Sequence, residues 1–394
     1  MTSHLRGTVR ATVLIVAGVA AIAVFLDGMR PTQAMPPFAQ AYGINCEVCH
    51  ASIPALNAYG RYVQRTGYAS LDASVMHGVN PLWVQWAVSQ DTQQSNFPNK
   101  VLFGNLNIQA AGFIGSDVTV HAQQWIVNGN EPGTTDTLWL TYNNLLHRDG
   151  HLTVGKLENP APSPFSMWFE LSGFNPPSMT VGEHAYENAS NRWGFKLQYI
   201  RPGYLVEGAY LGTNGDLNTA FDFTTPTDKT FQWRAAYARP EKPFEAGVYG
   251  ANGSFPLSDG TYDHYNSFSP YVEIDPQHNL PGLFALYQIN YDANAGPGFG
   301  PSNSSGYTID LFKPFMDSKV MLGTRYEMTN DGLGTVNHYG YVDLGVMLSR
   351  HVSSHNANAL MLNGEVNMLN GSTPGWRWQL LWNTTLGNMK GLSR

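Results

Sequence analysis

Lys319-Val320-Met321-Leu322-Gly323-Thr324-Arg325-Tyr326-Glu327-Met328 decides the fold. Successive side chains of an extended chain point to opposite faces, so Val320, Leu322, Tyr326 and Met328 share one side and Lys319, Met321, Gly323, Arg325 and Glu327 the other. One face is oily and the other polar. The same period runs outward in both directions. Val342, Leu344, Val346 and Leu348 alternate with Tyr341, Asp343 and Gly345, and Leu360, Leu362, Val366 and Met368 with Asn363, Glu365 and Asn367. Trp376, Trp378, Leu380 and Trp382 stand against Arg377, Gln379 and Asn383. Upstream, Trp193, Phe195, Leu197 and Tyr199 oppose Arg192, Lys196 and Gln198, and Phe231, Trp233 and Tyr237 oppose Gln232 and Arg234. Turn-rich pieces such as Arg148-Asp149-Gly150, Ala295-Gly296-Pro297-Gly298 and Thr329-Asn330-Asp331-Gly332 separate the runs.

Composition narrows what such strands build. Only 13% of the 394 residues are charged, against roughly 25% in typical soluble proteins. No stretch beyond residue 34 is apolar for the ~18 residues of a spanning helix. Oily faces rich in Trp and Tyr, polar faces bearing Lys, Arg, Glu and Asn, and the absence of a helical layer to cover them predict a mainly β chain. Its architecture is a transmembrane antiparallel β-barrel over residues 81–394, with roughly 14–18 strands at about ten residues each. A soluble β-rich domain with one solvated face is the alternative. The net charge of −7 is spread along the chain, and without a basic stripe to meet phosphates it excludes a nucleic-acid partner.

The N-terminus places the chain outside the cytoplasm. Arg6 and Arg10 precede an apolar run from Ala11 to Leu26, and Pro31-Thr32-Gln33-Ala34 ends on a small residue. This is the order of a secretory signal peptide over residues 1–34, with cleavage after Ala34. The apolar run is shorter than the ~20 residues of a membrane anchor.

Twelve residues further on stands Cys46-Glu47-Val48-Cys49-His50, which holds both cysteines of the chain. Two thiols at Cys-x-x-Cys spacing can add to the two vinyl groups of one haem while the adjoining imidazole binds the iron. Cys46, Cys49 and His50 are thus the expected cofactor-binding residues for a single covalent haem c. A disulfide or redox dithiol explains the cysteines but not the histidine. Ala51 to Gly67 reads as a helix, with Leu56, Tyr59 and Val63 at helical spacing, Pro54 in its first turn and Gly67 as its stop. Residues 35–80 form a small α-helical c-type haem segment too short to enclose a porphyrin, so the barrel lumen is the expected wall.

This head resembles the fused outer-membrane monohaem cytochrome-porins associated with ferrous-iron oxidation. The likeness is carried by Phe38-Ala39-Gln40-Ala41-Tyr42-Gly43-Ile44-Asn45-Cys46-Glu47-Val48-Cys49-His50 and continues through Pro54, Leu56, Asn57, Tyr59-Gly60-Arg61 and Gly67-Tyr68. Over the barrel it is architectural only. The resemblance implies residence in the bacterial outer membrane, in contact with its lipid, and an electron-transfer oxidoreductase of the ferrous-iron oxidase type. An extracellular donor such as Fe(II) delivers electrons to the haem, and a periplasmic cytochrome or other acceptor receives them. A haem-bearing transport barrel and a soluble periplasmic β-rich cytochrome stay open as alternatives.

The iron's second axial position has several candidates. His77 follows the helix within the head and is the first choice as a metal ligand with His50; Met76, Met35 and His121 compete. His121 shares a strand face with Gln123, which would turn it into the lumen. The choice matters because two imidazoles set a lower potential than His and Met, and electrons from Fe(II) in acid demand a high one. Arg61 and Arg65 are either partners of haem propionates or exposed helix arginines. Asp343 and Glu365, on polar faces, could guide cations. No phosphate loop, nucleophile elbow or zinc helix is present. His147, His151, His184, His264, His278, His338, His351 and His355 are scattered, and read as solvated turn residues.

Overall fold

The computed structural model describes residues 36–386 apart from 45, 77–78, 93–99, 129–130, 165–170, 213–228, 278–279 and 353–356. The expected export signal over residues 1–34 lies outside the described residues, as do Met35, His77, His278 and His355.

The chain opens with helix α1 (Pro36–Tyr42), a single 3-10 turn (Cys46–Val48), the short strands β1 (His50–Ser52) and β2 (Ala55–Leu56), and helices α2 (Ala58–Arg65) and α3 (Ala73–Met76). The wall then begins with β3 (Leu82–Asp91), β4 (Val101–Ile114) and β5 (Val118–Asn128), followed by the fragment β6 (Glu131–Pro132), β7 (Thr135–Leu145) and β8 (Gly150–Leu157). Two short strands, β9 (Thr180–Val181) and β10 (His184–Ala185), interrupt it. It resumes with β11 (Arg192–Arg201), β12 (Tyr204–Leu211), β13 (Lys229–Ala238), β14 (Phe244–Pro256), β15 (Tyr262–Ile274) and β16 (Gly282–Asp292). It ends with β17 (Ser302–Phe315), β18 (Val320–Asn330), β19 (Val336–Val352), β20 (Ala357–Leu369) and β21 (Gly375–Thr385). Each wall strand pairs antiparallel with the next, and β21 returns to β3 with Trp382 opposite Trp86. The result is a closed barrel of 16 strands, inside the expected range.

Burial is inverted relative to a water-soluble protein. Leu322, Val342, Val366 and Trp376 stand on the outside, with Val342 52% exposed, while Arg325, Glu327, Asp343 and Glu365 face inward and are at most 2% exposed. Lipid is the solvent that suits such an exterior, and closure leaves no unpaired strand edge in it. The chain is therefore an outer-membrane β-barrel, and the soluble β-rich alternative fails on its apolar outer face.

The ends of the barrel differ. One carries short connections, 202–203 and 316–319 among them, and the other carries the longer connection between β8 and β11, described over 158–164 and 171–191. Outer-membrane barrels keep their short turns on the periplasmic side. The head lies inside the lumen at that end: Ser52 Oγ donates to the Ser318 carbonyl at 3.2 Å, Ser318 Oγ donates to the Ala51 carbonyl at 3.0 Å, and Glu47 pairs with Arg350 at 2.6 Å.

From the opposite end, residues 171–191 of this connection fold inward, a feature the strand pattern does not foretell. Its Leu171 and Ser172 amides donate to Glu365 Oε2 at 3.1 and 2.8 Å, and Arg325 donates to the Ser172 and Gly173 carbonyls at 3.1 Å each. Asn175 meets Glu327, and its amide also reaches the Tyr341 hydroxyl at 2.7 Å. Glu365 is thus engaged by protein donors at mid-lumen rather than left to line an open cation path. Phe174 of this connection packs edge-on against Phe284, and Ala51 and Ile53 of the head join the same apolar cluster. Head and connection pack against the same cluster of wall residues inside the barrel.

Candidate haem pocket at the periplasmic end of the lumen

The segment after the cysteines is folded more tightly than its helical spacing implied. The helix expected over Ala51 to Gly67 is confined to Ala58–Arg65, because residues 50–56 pair as a small hairpin around Pro54. Proline supplies no N–H and holds its predecessor extended, which favours a turn over a continued helix. Asn57 caps α2, its side chain accepting from the Gly60 amide at 2.9 Å, and the chain leaves the helix at Gly67 with φ +55°. Gly60 is required: a Cβ there would lie 2.0 Å from the Cys49 carbonyl oxygen, so only glycine lets α2 press on the cysteine turn.

Beside this turn a cavity of about 1340 Å³ of non-atom space, open solvent at its mouth included, is lined by Cys49, His50, Val63, Tyr68, His121 and Met361 among others. Cys46 does not line it but is buried in a cluster with Ala39, against which Ile53 and Val352 pack, and both cysteines are free thiols. Burial raises the Cys49 pKa to about 11 and that of Cys46 further, so both are neutral at ordinary pH. His50 Nδ1 lies 2.9 Å from the Pro54 carbonyl oxygen. A carbonyl only accepts, so Nδ1 carries the hydrogen and Nε2 is the basic nitrogen, the arrangement that orients metal-binding histidines. Burial lowers the His50 pKa to about 4, which keeps the ring neutral and able to ligate.

His121 reaches the same cavity from β5, turned inward with Gln123 as the alternation implied. Its Nδ1 lies 3.2 Å from the Tyr68 hydroxyl, and its Nε2 is buried without a hydrogen-bond partner among the described residues. Tyr68 stacks on Trp139 at 5.5 Å and Trp83 on His121 at 6.2 Å, so one aromatic cluster holds both rings. One lining thiol, Cys49, with Cys46 three residues before it, and two imidazoles could hold a flat, metal-bearing cofactor in this mostly apolar cavity. Met76 packs into the adjoining core with Phe38, Tyr68 and Trp83. Tyr68 was quoted only as part of a resemblance, and Trp83 gave no sequence signal beyond its place on a strand.

Two readings of the sequence are corrected here. Arg61 and Arg65 neither await propionates nor face solvent. Arg61 Nη1 pairs with Asp275 at 2.8 Å and Glu273 at 2.9 Å and donates to the Leu56 carbonyl at 2.9 Å, and Arg65 pairs with Glu245. Burial would lower the Arg61 pKa, but Glu273, Asp275 and Glu245 outweigh it and raise it. Asp275 also accepts from the Ala58 amide at 2.8 Å, so the start of α2 is fastened to the wall. The second correction concerns histidines. His147 is exposed in a connection, His264, His338 and His351 are exposed but stand on β15 and β19 rather than in turns, and His151 and His184 are 2% and 0% exposed. His151 lies on an inward strand face, where its Nδ1 meets Asn143 Oδ1 at 2.9 Å. His184 is carried inward by the long connection.

No family model and no curated protein matches the chain. Solved structures do. The in-vitro folded trimer form of OmpT, an outer membrane protein of Vibrio cholerae, matches with a TM-score of 0.52 at 11% identity, over 77% of this chain and 98% of that one. The loop L8 deletion mutant of OmpT matches with a TM-score of 0.51 at 11% identity, over 77% and 97%. At this identity the likeness shows the porin-type barrel fold alone.

Proposed function

We propose that this barrel is an electron conduit, carrying electrons from an extracellular donor, Fe(II), through one covalent haem c to a periplasmic acceptor such as a cytochrome. Haem bound here supplies a one-electron iron couple. Cys46 and Cys49 would hold it as thioethers, and His50 would ligate through Nε2, since the Pro54 carbonyl takes the Nδ1 hydrogen. His121 would offer a second imidazole Nε2, with His77 the other candidate; two imidazoles set a lower potential than His and Met, which suits Fe(II) near neutral pH, where the ferric product precipitates, rather than Fe(II) in acid. The observation that carries this reading is the orphaned, buried Nε2 of His121 in the cavity lined by Cys49 and His50: an apolar site has no reason to bury an unpaired imidazole nitrogen unless something ligates there.

A solute-transport barrel is the reading that the fold supports by itself. The inward course of both the head and the connection between β8 and β11 favours electrons over solutes, because each occupies part of the bore a solute would need. The test is haem staining of the outer-membrane fraction combined with bilayer conductance. A covalently stained band that Fe(II) reduces, with conductance well below that of an open porin, supports the conduit. An unstained band with porin-like conductance overturns it.

A further inference from the structure

We propose that His184, Asp263 and Asp292 bind one divalent first-row transition-metal cation in the extracellular half of the lumen, at a site separate from the haem pocket and independent of its reading. Asp263 is the second residue of β15 and Asp292 the last of β16, both at the end opposite the head. His184 comes from the β9–β10 hairpin of the inward connection, whose two-residue turn is Gly182-Glu183. Gly182 has φ +60°, and a Cβ on it would lie 2.0 Å from the Ala295 carbonyl oxygen, so only glycine brings the hairpin this close to the wall. The Glu183 amide seals the approach by donating to Ala295 at 2.7 Å.

The three side chains are 0% exposed. His184 Nδ1 lies 2.9 Å from Asp263 Oδ2 and 2.8 Å from Asp292 Oδ1, and one ligand atom from each residue falls within 4.8 Å of the others. Ligands at ~90° about an ion with bonds of ~2.1 Å stand ~3.0 Å apart, so these separations suit neighbouring coordination positions. Two buried carboxylates facing one imidazole need a positive species between them. A single Nδ1 hydrogen is shared between both and leaves Asp292 Oδ2 and His184 Nε2 buried without hydrogen-bond partners among the described residues.

The surroundings already hold the carboxylates as metal ligands are held. Asp263 Oδ1 accepts from the Asn294 amide at 2.9 Å, and Asp292 Oδ1 accepts from the Tyr186 hydroxyl at 2.8 Å. His184 is stacked between Tyr186 at 4.0 Å and Phe255 at 4.6 Å, which fixes the ring plane. One imidazole nitrogen with two carboxylate oxygens suits Mn(II), Fe(II), Co(II) or Zn(II), not Cu(I) or an all-oxygen Ca(II) site. The bound cation ties the inward connection to β15 and β16.

The test titrates the full-length, detergent-purified protein, stripped by a chelator, with Mn(II), following the loss of the free-ion paramagnetic resonance signal. Mn(II) is chosen because the thiols of Cys46 and Cys49 do not favour it, so the result is the same whether or not haem is attached. One Mn(II) per chain, displaced by Zn(II) and Co(II) but not by Ca(II), is expected. His184→Gln and Asp292→Asn should each weaken binding about ten-fold or more while the barrel keeps its heat-modifiable migration. Equal Mn(II) binding by wild type and variants, or none by wild type, leaves a proton-bridged His–Asp cluster and overturns the proposal. Where a variant does not form the barrel, Asp263→Asn replaces it. The wild-type protein also decides by itself: its unfolding temperature should rise with Mn(II) or Zn(II) and not with Ca(II), and an equal response to all three would contradict the site.

Discussion

The Tyr68 hydroxyl lies 3.2 Å from Nδ1 of His121, joining the head to the barrel wall across the candidate haem pocket. Both residues are buried, so the pair is shielded from competing water. Tyr68→Phe removes the partner and leaves Nδ1 unsatisfied, which costs roughly 1–3 kcal/mol. The expected outcome is a lower denaturation midpoint with the barrel still assembled. If His121 ligates the iron, a weakened low-spin haem spectrum accompanies it.

Cys46 and Cys49 are expected to be the covalent tether. Replacing both with alanine should abolish haem staining on a denaturing gel while the barrel still reaches the outer membrane, because the wall strands pair with one another and not with the cysteine turn. Each single variant should keep one thioether and a weaker stain.

The Arg61–Asp275 pair holds the head in the lumen. Both side chains are at most 7% exposed, and the carboxylate also takes the Ala58 amide. Removing the guanidinium leaves Asp275 and Glu273 buried without their shared cation, and breaking such a buried pair costs about 3–5 kcal/mol. Arg61→Gln should therefore expose the described head to protease added from the periplasmic side, while the barrel fragment resists. An unchanged digestion pattern would show that the pair does not fasten the head.

Neighbouring residues on β19 test which face meets lipid. Val342→Arg puts a charge on the outer face and should cost about 2–4 kcal/mol if it lies near the bilayer mid-plane. Asp343→Asn, one position on and facing inward, should leave assembly intact. The measurement is the urea midpoint of the barrel in vesicles, compared between the two variants.

The barrel was legible because lipid-facing and lumen-facing residues alternate with a period that local sequence displays, as in Leu322, Arg325 and Glu327. Strand number was bounded by length alone. The head was legible in its cysteines and in the Gly67 stop, but the extent of α2 was not, since the hairpin around Pro54 depends on tertiary contacts with Ser318. The fate of Arg61 was hidden for a similar reason: its carboxylate partners Glu245, Glu273 and Asp275 lie far along the chain, on β14, on β15 and just beyond it. The His184 cluster draws on three distant segments, and no spacing rule joins them. The inward connection carries no period at all, and its course is set by hydrogen bonds to Glu365, Arg325 and Glu327.

The most direct test of the electron-conduit reading is a spectroscopic redox titration of the purified full-length protein, with Fe(II) as reductant and the His121→Ala variant alongside. One covalent haem per chain, reduced by Fe(II) in the wild type and altered in spectrum and potential by the loss of His121, is the expected result. A wild-type protein that carries no covalent haem after maturation in a haem-attaching host would contradict it.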